Sequence, residues 1–586
     1  MTIAWGSDAF ADFLRSTKVP FLALNPGSSY RGFHDSLVNH LDATDPELLL
    51  CLHEEHAVAI AHGWAKVTGE PMAVAIHANV GLMHASMALY NAWCDRVPML
   101  VIGANGPLDA EKRRPWIDWI HSTADLPALV RSFIKWDDQP TSVGATLESL
   151  ARAWDITRAF PQAPTYVALD VTVQEQKLEE PITLPAITVG QPEDTPVASA
   201  TSVERAVTIL RNANNPVILM GRTTRSVDDW NRRIRLAERL NARVVTDLKV
   251  GAAFPTEHPL HVTGPGIFLG AEGQEAIRNA DCVLALDWVD VAGTVSQADG
   301  QRSPSVSRTR RSLISATLDQ VLHSGATHDH QARVHPDVLL PTTADLAVAQ
   351  LLSALGPDAR ESAWAPPRSV RQAPARTTAD DSPIQLSELA TVLKAALGRD
   401  EVSLVRLPLG WNGDDWEFRH PLDYLGSDGG GGIGSGPGML VGAALALRGT
   451  GRLPIAILGD GDFMMGVQAL WTAANKKVPM LALIANNRSY FNDELHQERV
   501  ARERDRDVSR RWIAQRIDGP APDLAGMARA QGLVGFGPVT SFEELPAVLE
   551  SAIDRLKKGC AVVVDVVVGA GYSAAMTKGL VRNDGK

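Results

Sequence analysis

The chain has 586 residues and a net charge of −12, with 45% apolar and 21% charged residues. A chain of this length is too long for one hydrophobic core, so we expect about two to four domains. The negative charge argues against a nucleic-acid-binding protein, and no apolar run is long enough to cross a membrane.

The cysteines and the first residues of the chain indicate where the protein acts. None of the four cysteines belongs to a Cys-x-x-Cys pair, so their spacing predicts neither a disulfide framework nor a zinc site. The start, "MTIAWGSDAF", lacks a basic stretch followed by an apolar one, and therefore does not resemble a secretory signal. We expect a cytoplasmic enzyme.

Two segments rich in Pro, Ser and Thr, residues 178–202 and 354–383, predict linkers. They leave three domains, which we place at residues 1–180, 198–355 and 384–586. In chain order, the domains contain short apolar runs such as "MAVAIHA", "NPVILMG" and "PIAILGDG", separated by longer helical patterns. Continuous apolar runs are typical of strands buried on both faces. The sequence thus predicts an α/β fold in which each domain is a parallel sheet flanked by helices.

The third domain contains a strand–helix–strand unit with polar residues at both strand ends. A Gly-Asp-Gly tripeptide centred on Asp460 follows "LPIAIL", a helix is predicted from Asp462, and an Asn-Asn pair ending at Asn487 follows "PMLALIA". Ligands of parallel sheets bind at such carboxyl ends, and glycines let backbone N–H groups approach a phosphate. Asp460, Asn487 and the Ser489 carbonyl offer the oxygen ligands that Mg²⁺ prefers.

This pair of motifs resembles the signature of the thiamine-diphosphate-dependent decarboxylase and carboligase superfamily, and the resemblance extends over nearly the whole chain. It implies a pyrimidine-binding, a middle and a diphosphate-binding domain, with thiamine diphosphate and Mg²⁺ as cofactors. The metal ligands it implies are Asp460, Asn487 and the Ser489 carbonyl. Gly461 and Asp462 are expected to meet the diphosphate.

The resemblance also implies a glutamate from the first domain. The stretch "CLHEEHAVAIAHGWAKVTGEP" contains Glu54 and Glu55, and its spacing to the Gly-aromatic pair at Gly63 selects Glu54. We predict a helix from about Glu54 to Lys66 that stops at Gly69. In the family, this carboxylate shares a proton with the aminopyrimidine ring and so promotes loss of the thiazolium C2 proton.

A glycine-rich run, "DGGGGIGSGPGMLVGAALAL", precedes the metal motif and is similar to the loop beneath the cofactor in this family. By that match, Gly431 accepts a hydrogen bond from the aminopyrimidine. Ile433 supports the bent shape of the cofactor.

Other motifs indicate which members of the family the chain is most similar to. "NPGSSYRGF" resembles benzoylformate decarboxylases and implies that Ser28 meets a substrate carboxylate, although a serine helix cap would look the same. "VAIHANVG" matches their active-site histidine with His77.

"WIDWIHSTADL" is more similar to pyruvate-type decarboxylases, with His121 at the first histidine of their loop. Asp493 or Glu494 could fill the acidic position after the asparagines, and we assign Glu494. "DWVDVAGT" holds no counterpart of the second benzoylformate decarboxylase histidine.

We therefore expect a decarboxylase of a 2-oxo acid, with aldehyde carboligation as a second activity. The alternatives are a 2-hydroxyacyl-CoA lyase or oxalyl-CoA decarboxylase, for which Arg302 and residues 308–311 could meet nucleotide phosphates, and an acetolactate-synthase-like carboligase with FAD in the middle domain. The fourth hypothesis, after the decarboxylase and these two alternatives, is a non-catalytic protein that kept the fold. Because Glu54 and Asp460 lie in different domains, the family implies a homodimer or homotetramer with active sites at the dimer interface.

Overall fold

The structure is a computed structural model. It describes residues 3–187, 195–262, 264–300, 311–321, 335–357 and 382–572. Three separate parallel sheets occupy the three predicted domains, which confirms the α/β class. Within the described ranges no helix has both the length and the apolar character needed to span a membrane. Arg302 and residues 308–310, named above for a nucleotide, lie outside the described residues.

The first sheet has six strands. They are β1 (Phe21–Leu24), β2 (Glu47–Leu50), β3 (Met72–Ala75), β4 (Met99–Asn105), β5 (Trp136–Asp138) and β6 (Pro164–Asp170). The helices are α1 (Gly6–Ser16), α2 (Arg31–Asp35), α3 (Glu54–Thr68), α4 (Ala78–Cys94), α5 (Ile117–Ile120), α6 (Val143–Arg158) and α7 (Val171–Gln174). The strand order is β2-β1-β3-β4-β6-β5, and all pairs are parallel. The central strands β3 and β4 are buried along their whole length, as continuous apolar runs require.

The second sheet has five strands. They are β7 (Pro216–Met220), β8 (Arg243–Val245), β9 (Cys282–Leu286), β10 (Ser312–Ala316) and β11 (Val338–Leu340). The helices around them are α8 (Ala200–Asn212), α9 (Val227–Leu240), α10 (Ala271–Asn279), α11 (Val291–Ala298) and α12 (Ala344–Leu355). The order is β11-β10-β9-β7-β8, again parallel.

The third sheet also has five strands. They are β12 (Val402–Arg406), β13 (Leu453–Gly459), β14 (Met480–Asn486), β15 (Val534–Val539) and β16 (Ala561–Val567). The helices are α13 (Leu386–Leu397), α14 (Gly436–Ala446), α15 (Asp460–Gly466), α16 (Ala469–Asn475), α17 (Phe491–Glu503), α18 (Leu524–Ala530) and α19 (Leu545–Lys557). In the order β12-β13-β14-β16-β15, the two strands that precede the polar motifs are neighbours. Their carboxyl ends therefore meet at one edge of the sheet.

The helix between those strands differs from the single helix predicted from Asp462. It begins two residues earlier, at Asp460, and is divided into α15 and α16. The first part ends at Gly466, where a Cβ would overlap the Gly434 carbonyl. Close packing against the glycine-rich run thus requires glycine here, and glycine is a poor helix former. The predicted α3 is found with its start at Glu54 and its left-handed stop at Gly69.

The first and third domains share one hydrophobic core through α3 and α14. The two helices approach so closely that a Cβ at Gly63 would overlap the Met439 backbone, and one at Gly442 would overlap the Ile60 carbonyl. Small residues at both crossing points let the backbones touch. This contact places the start of α3, with its two glutamates, beside the glycine-rich run that leads into α14.

Candidate active site

The polar ends of β13 and β14 form a single constellation. The backbone N–H of Ser489 donates to Asp460 Oδ2 at 3.1 Å and to Asn487 Oδ1 at 3.0 Å, and Gly461 N donates to Asp460 Oδ1 at 3.0 Å. The three residues proposed as metal ligands are thereby held together at the sheet edge. Their role as ligands stays a prediction.

The Asp460 carboxylate has the electrostatics of a cation ligand. It is 4% exposed, and burial raises its pKa to about 6 even though backbone N–H groups oppose this shift. Within the part of the chain that the structure describes, no lysine, arginine or histidine forms an ion pair with it. A buried carboxylate without a positive partner is costly. A divalent cation bound there would remove that cost, and so the residues present fit Mg²⁺.

The two asparagines have different positions. Asn486 ends β14 and is buried; its Nδ2 donates to Asp565 Oδ1 on β16 at 2.9 Å, and its Oδ1 accepts from Arg488 N at 3.1 Å. Asn486 therefore ties two strands together. Asn487 is only half-buried, and its side chain turns towards Asp460, where a metal would be held.

An arginine that the sequence analysis did not identify anchors the glycine-rich run. Arg406, at the end of β12, pairs with Asp428 Oδ2 at 2.6 Å and with Asp462 Oδ2 at 2.8 Å. Asp428 Oδ1 accepts from Gly431 N at 3.0 Å, and Asp462 Oδ1 accepts from Gly434 N at 2.6 Å. In the sequence, the only indication of this role is that Arg406 is a charged residue at the end of an apolar strand.

These contacts restrict how the predicted cofactor residues could act. Both Asp462 oxygens are engaged, so this residue could meet a diphosphate only through its backbone N–H, as Gly461 could. Gly431 is exposed with a φ of +74°, and a Cβ there would meet open space. Ile433 is half-buried, with its side chain partly open to a ligand. The run is a cradle with room for a cofactor, which supports these assignments without testing them.

The first domain holds the cradle from the other side. Asn91 on α4 donates from Nδ2 to the Gly432 carbonyl at 3.1 Å and accepts from Gly432 N at 3.3 Å. Glu55 Oε1 lies 3.5 Å from the position that a Gly434 Cβ would take. Burial, followed by the charge of Asp462, raises the pKa of Glu55. Glu55 thus faces the cradle of its own chain.

Glu54 faces away from Glu55 and into the first domain. It is 4% exposed at the N-terminus of α3, where His53 is the cap residue. Burial tends to raise its pKa, but hydrogen bonds from its own N–H, from Asn25 and from His84 prevail, so the pKa of Glu54 lies below its ordinary value. Gly81 on α4 leaves space for the carboxylate, since a Cβ there would lie 2.9 Å from Oε1. An ionised, buried carboxylate is the state that sharing a proton with a ring nitrogen requires.

The histidines identified from sequence come together. His77 and His121 have ring centroids 4.9 Å apart, and Asn79 holds the second loop by donating to the Ile120 carbonyl at 3.0 Å. Burial, then the neighbouring His121, lowers the pKa of His77. Imidazole side chains can accept and donate protons, and this pair lies beyond the carboxyl end of β3.

The serine beside the predicted one fixes the His77 ring. Ser29 is buried; its Oγ accepts from Ala78 N at 3.1 Å and lies 2.8 Å from His77 Nδ1. The Ser29 hydroxyl can donate to His77 Nδ1 or accept from it, because an oxygen that accepts from Ala78 N keeps a second lone pair. In both cases the contact fixes the orientation of the imidazole ring. Ser28, the predicted carboxylate anchor, is exposed and free to meet a ligand. Sequence reasoning missed Ser29 because both serines fit the motif.

The acidic residues after the asparagines also differ from each other. Glu494 is 1% exposed; Oε1 accepts from Ser489 Oγ at 2.6 Å, and the carboxylate pairs with Arg511 and Arg516 at 3.3 Å each. These contacts anchor Ser489 beside two guanidinium groups, and the catalytic role assigned to Glu494 stays a prediction. Asp493 is exposed and remains open to a substrate role.

Comparison with known proteins identifies the family of the chain. Three family models match: the N-terminal, central and C-terminal domains of thiamine pyrophosphate enzymes, over residues 4–127, 203–303 and 410–566, together more than half of the chain.

Relatives of known name match along nearly the whole chain. The benzoylformate decarboxylase of Pseudomonas aeruginosa is 24% identical over 543 residues, covering 90% of this chain and 93% of the relative. The mitochondrial acetolactate synthase catalytic subunit of Saccharomyces cerevisiae is 23% identical over 566 residues, covering 94% and 79%. Among solved structures, the thiamine-diphosphate-dependent 4-hydroxybenzoylformate decarboxylase of Rhodococcus jostii has a TM-score of 0.75 at 20% identity, covering 97% of this chain and 100% of that one.

Proposed function

The chain belongs to the thiamine pyrophosphate enzymes, and from this premise we propose that it is a decarboxylase of a 2-oxo acid. It is an enzyme of the carboxy-lyase and carboligase type. The observation that carries the narrower proposal is the grouping of an exposed Ser28 with the His77–His121 pair at one edge of the first sheet. The resemblance of the same motifs to benzoylformate decarboxylases supports it.

The residues that would hold the cofactor come from two domains. Asp460, Asn487 and the Ser489 carbonyl would bind Mg²⁺, and the backbone at Gly461 and Asp462 would face the diphosphate. Thiamine diphosphate, when bound, supplies a nucleophilic carbon and an electron sink that amino acid side chains lack. The protein then has to bind, orient and protonate, and its own side chains perform these tasks.

Each substrate-facing residue has a distinct task in this proposal. The Ser28 hydroxyl donates a hydrogen bond to the substrate carboxylate and so orients the bond that breaks when carbon dioxide leaves. His77, whose Nδ1 is held by Ser29, would supply a proton to the substrate after carbon dioxide leaves. His121, whose ring centroid lies 4.9 Å from that of His77, would return that proton. Glu54 would hold the aminopyrimidine ring of the cofactor by sharing a proton with it.

The position of Glu54 supports a site shared between two chains. Its carboxylate is turned towards Asn25, Gly81 and His84 of its own domain, whereas Glu55 faces the glycine-rich cradle of the same chain. We therefore propose a dimer in which Glu54 of one protomer serves the metal site of the other. Mixing Glu54→Gln chains with Asp460→Ala chains should restore activity, because each heterodimer regains one intact site. Confirmed subunit exchange without activity would contradict a shared site.

Carboligation is the second candidate, because acetolactate synthases occur among the relatives. The two activities share every step up to the loss of carbon dioxide and differ in whether the next electrophile is a proton or an aldehyde. Product analysis after incubation with one 2-oxo acid, with and without added aldehyde, separates them. A flavin absorbance of the purified protein would favour the acetolactate-synthase-like alternative.

The test of the proposed function is carbon dioxide release from a panel of 2-oxo acids with aromatic, branched and basic side chains. We expect release to require both thiamine diphosphate and Mg²⁺, and to fall by about 10²-fold or more in His77→Ala. The matched control is His335→Ala, which replaces an exposed histidine in the middle domain and should leave the rate unchanged. Cofactor binding without carbon dioxide release from any 2-oxo acid would reject the decarboxylase.

A further inference from the structure

A histidine on α4 contacts the buried carboxylate that the proposed function places against the cofactor. His84 Nδ1 lies 3.2 Å from Glu54 Oε2, and the histidine side chain is 52% exposed in the protomer while that of Glu54 is 5% exposed. We propose that His84 is a positioning and proton-relay residue that connects Glu54 to solvent. This inference rests on the proposed function, since it assigns a role towards Glu54 in the same site.

The helix α4 presents two residues to the two carboxylate oxygens. Gly81 and His84 are three positions apart and so share a face of the helix. Gly81 leaves room at Oε1, where a Cβ would lie at 2.9 Å, while His84 meets Oε2. The carboxylate is thus enclosed at one oxygen and has a titratable partner at the other.

A second histidine supports the ring of His84. The rings of His53 and His84 are stacked, with centroids 4.8 Å apart and planes inclined by 19°. His53 Nδ1 accepts from Glu55 N at 3.2 Å, which places any hydrogen of a neutral His53 on Nε2. Burial, then the neighbouring His84, lowers the pKa of His53. A neutral stacking partner lets His84 carry a positive charge transiently without repulsion.

The proton transfers balance without turning the ring. When Glu54 carries a proton on Oε2 and His84 carries its hydrogen on Nε2, the Oε2 proton passes to the free Nδ1 and forms an imidazolium. The imidazolium releases its Nε2 proton to water, which leaves His84 with an Nδ1–H that donates to the Glu54 carboxylate. In the reverse direction water protonates Nε2, and the Nδ1 proton then passes to Oε2.

Other titratable groups also surround Glu54, and a test must separate them from His84. They are Tyr30 after β1, His77 after β3, and His53 and Glu55 at the start of α3. Within the described residues, His84 is the one of these side chains that both contacts the Glu54 carboxylate and is more than half exposed. In the single protomer it therefore connects Oε2 to solvent.

The experiment compares His84→Asn and His84→Ala with the wild-type protein. We follow hydrogen–deuterium exchange at C2 of bound thiamine diphosphate by rapid quenching and NMR across about pH 5.5–8.5, which extends about one pH unit below and about two above the ordinary imidazole pKa. Asparagine can hold Glu54 by a hydrogen bond but cannot pass a proton. We expect both variants to bind cofactor with wild-type affinity and to exchange at least about tenfold more slowly, less than the 10²–10⁴ of a direct acid–base group.

Two further measurements distinguish a relay from a structural contact. Added imidazole should restore exchange in His84→Ala in proportion to its concentration, because the side chain is exposed and leaves an open cavity. In the apoprotein, carbon-13 NMR of the Glu54 carboxyl, assigned by its loss in Glu54→Gln, should show a higher pKa in His84→Ala than in the wild type. His335→Ala is the control for both.

The outcomes are distinct. Wild-type exchange in His84→Asn, or no response to imidazole in a folded His84→Ala, would overturn the relay. If the wild-type protein itself binds no thiamine diphosphate or shows no C2 exchange, the proposed function fails instead, and the apoprotein pKa comparison still decides whether His84 and Glu54 interact.

Discussion

Replacing Asp460 by asparagine would separate the metal site from the stability of the fold. Burial raises the pKa of the Asp460 carboxyl from 3.8 to about 6, so the metal-free folded chain holds this proton more tightly than the unfolded chain. At 1.36 kcal/mol for each pH unit, the difference corresponds to about 3 kcal/mol. The raised pKa destabilises the metal-free fold. The loss in free energy of unfolding is absent below about pH 4, grows as the pH rises towards about 6, and is complete at about pH 8.

The asparagine removes the charge but also one hydrogen bond. The carboxylate accepts from Gly461 N at 3.0 Å and from Ser489 N at 3.1 Å, and the amide NH₂ must face one of these donors. Losing that bond costs about 1 to 1.5 kcal/mol. We therefore expect metal-free Asp460→Asn to be about 1–2 kcal/mol more stable than the wild type at about pH 8, and about 1 kcal/mol less stable at about pH 4.

The assay is urea unfolding in the presence of a chelator at a series of pH values, followed by tryptophan fluorescence. Asp493→Asn, which changes an exposed aspartate on α17, is the matched control and should follow the wild type at every pH. Added Mg²⁺ and thiamine diphosphate should raise the wild-type midpoint and leave that of Asp460→Asn unchanged, because only the wild type binds them. A variant that is equally destabilised at all pH values would refute the raised pKa of this carboxyl.

Substitutions at three further residues test the surroundings of the site. Arg406→Met leaves two buried carboxylates without their shared cation and should destabilise the third domain by about 3–5 kcal/mol in urea unfolding, with Arg406→Lys closer to the wild type. Ser29→Ala removes the hydrogen bond to His77 Nδ1 and should lower kcat for decarboxylation with little change in cofactor affinity, whereas Ser29→Thr keeps the hydroxyl and should retain more of the activity. Gly81→Ala should weaken thiamine diphosphate binding in calorimetric titration, since its Cβ would crowd Glu54 Oε1 at 2.9 Å, although alanine favours the helix itself.

Local sequence patterns were sufficient to predict the central strands of the sheets, but they were not sufficient to predict the edge strands. The strands β3, β4, β13 and β14 are continuous apolar runs because helices cover both faces of the sheet. The edge strand β5 reads "WDD" and is half-buried, and β15 contains glycine and proline. Such strands form because a neighbouring strand offers hydrogen bonds, and that neighbour cannot be read from the local sequence.

Site residues could be predicted from the sequence where a single motif contains them. They could not be predicted where side chains that are far apart in the sequence come into contact. Asp460 and Asn487 follow from the two strand ends, and the structure brings them together through Ser489. The hydrogen bond between Asn486 and Asp565 joins residues 79 positions apart, and no sequence motif predicts it. Arg406, Ser29 and His84 were missed for the same reason, since each gains its role only from the partner that folding places beside it.

We propose that Glu54, rather than its neighbour Glu55, acts on the cofactor bound at the Asp460 site. C2 hydrogen–deuterium exchange of thiamine diphosphate bound to Glu54→Gln and to Glu55→Gln distinguishes the two residues, with binding checked by calorimetry. We expect both variants to bind cofactor in the presence of Mg²⁺, Glu54→Gln to lose most of the exchange, and Glu55→Gln to keep it. Exchange at the wild-type rate in Glu54→Gln, with its loss in Glu55→Gln, would contradict it.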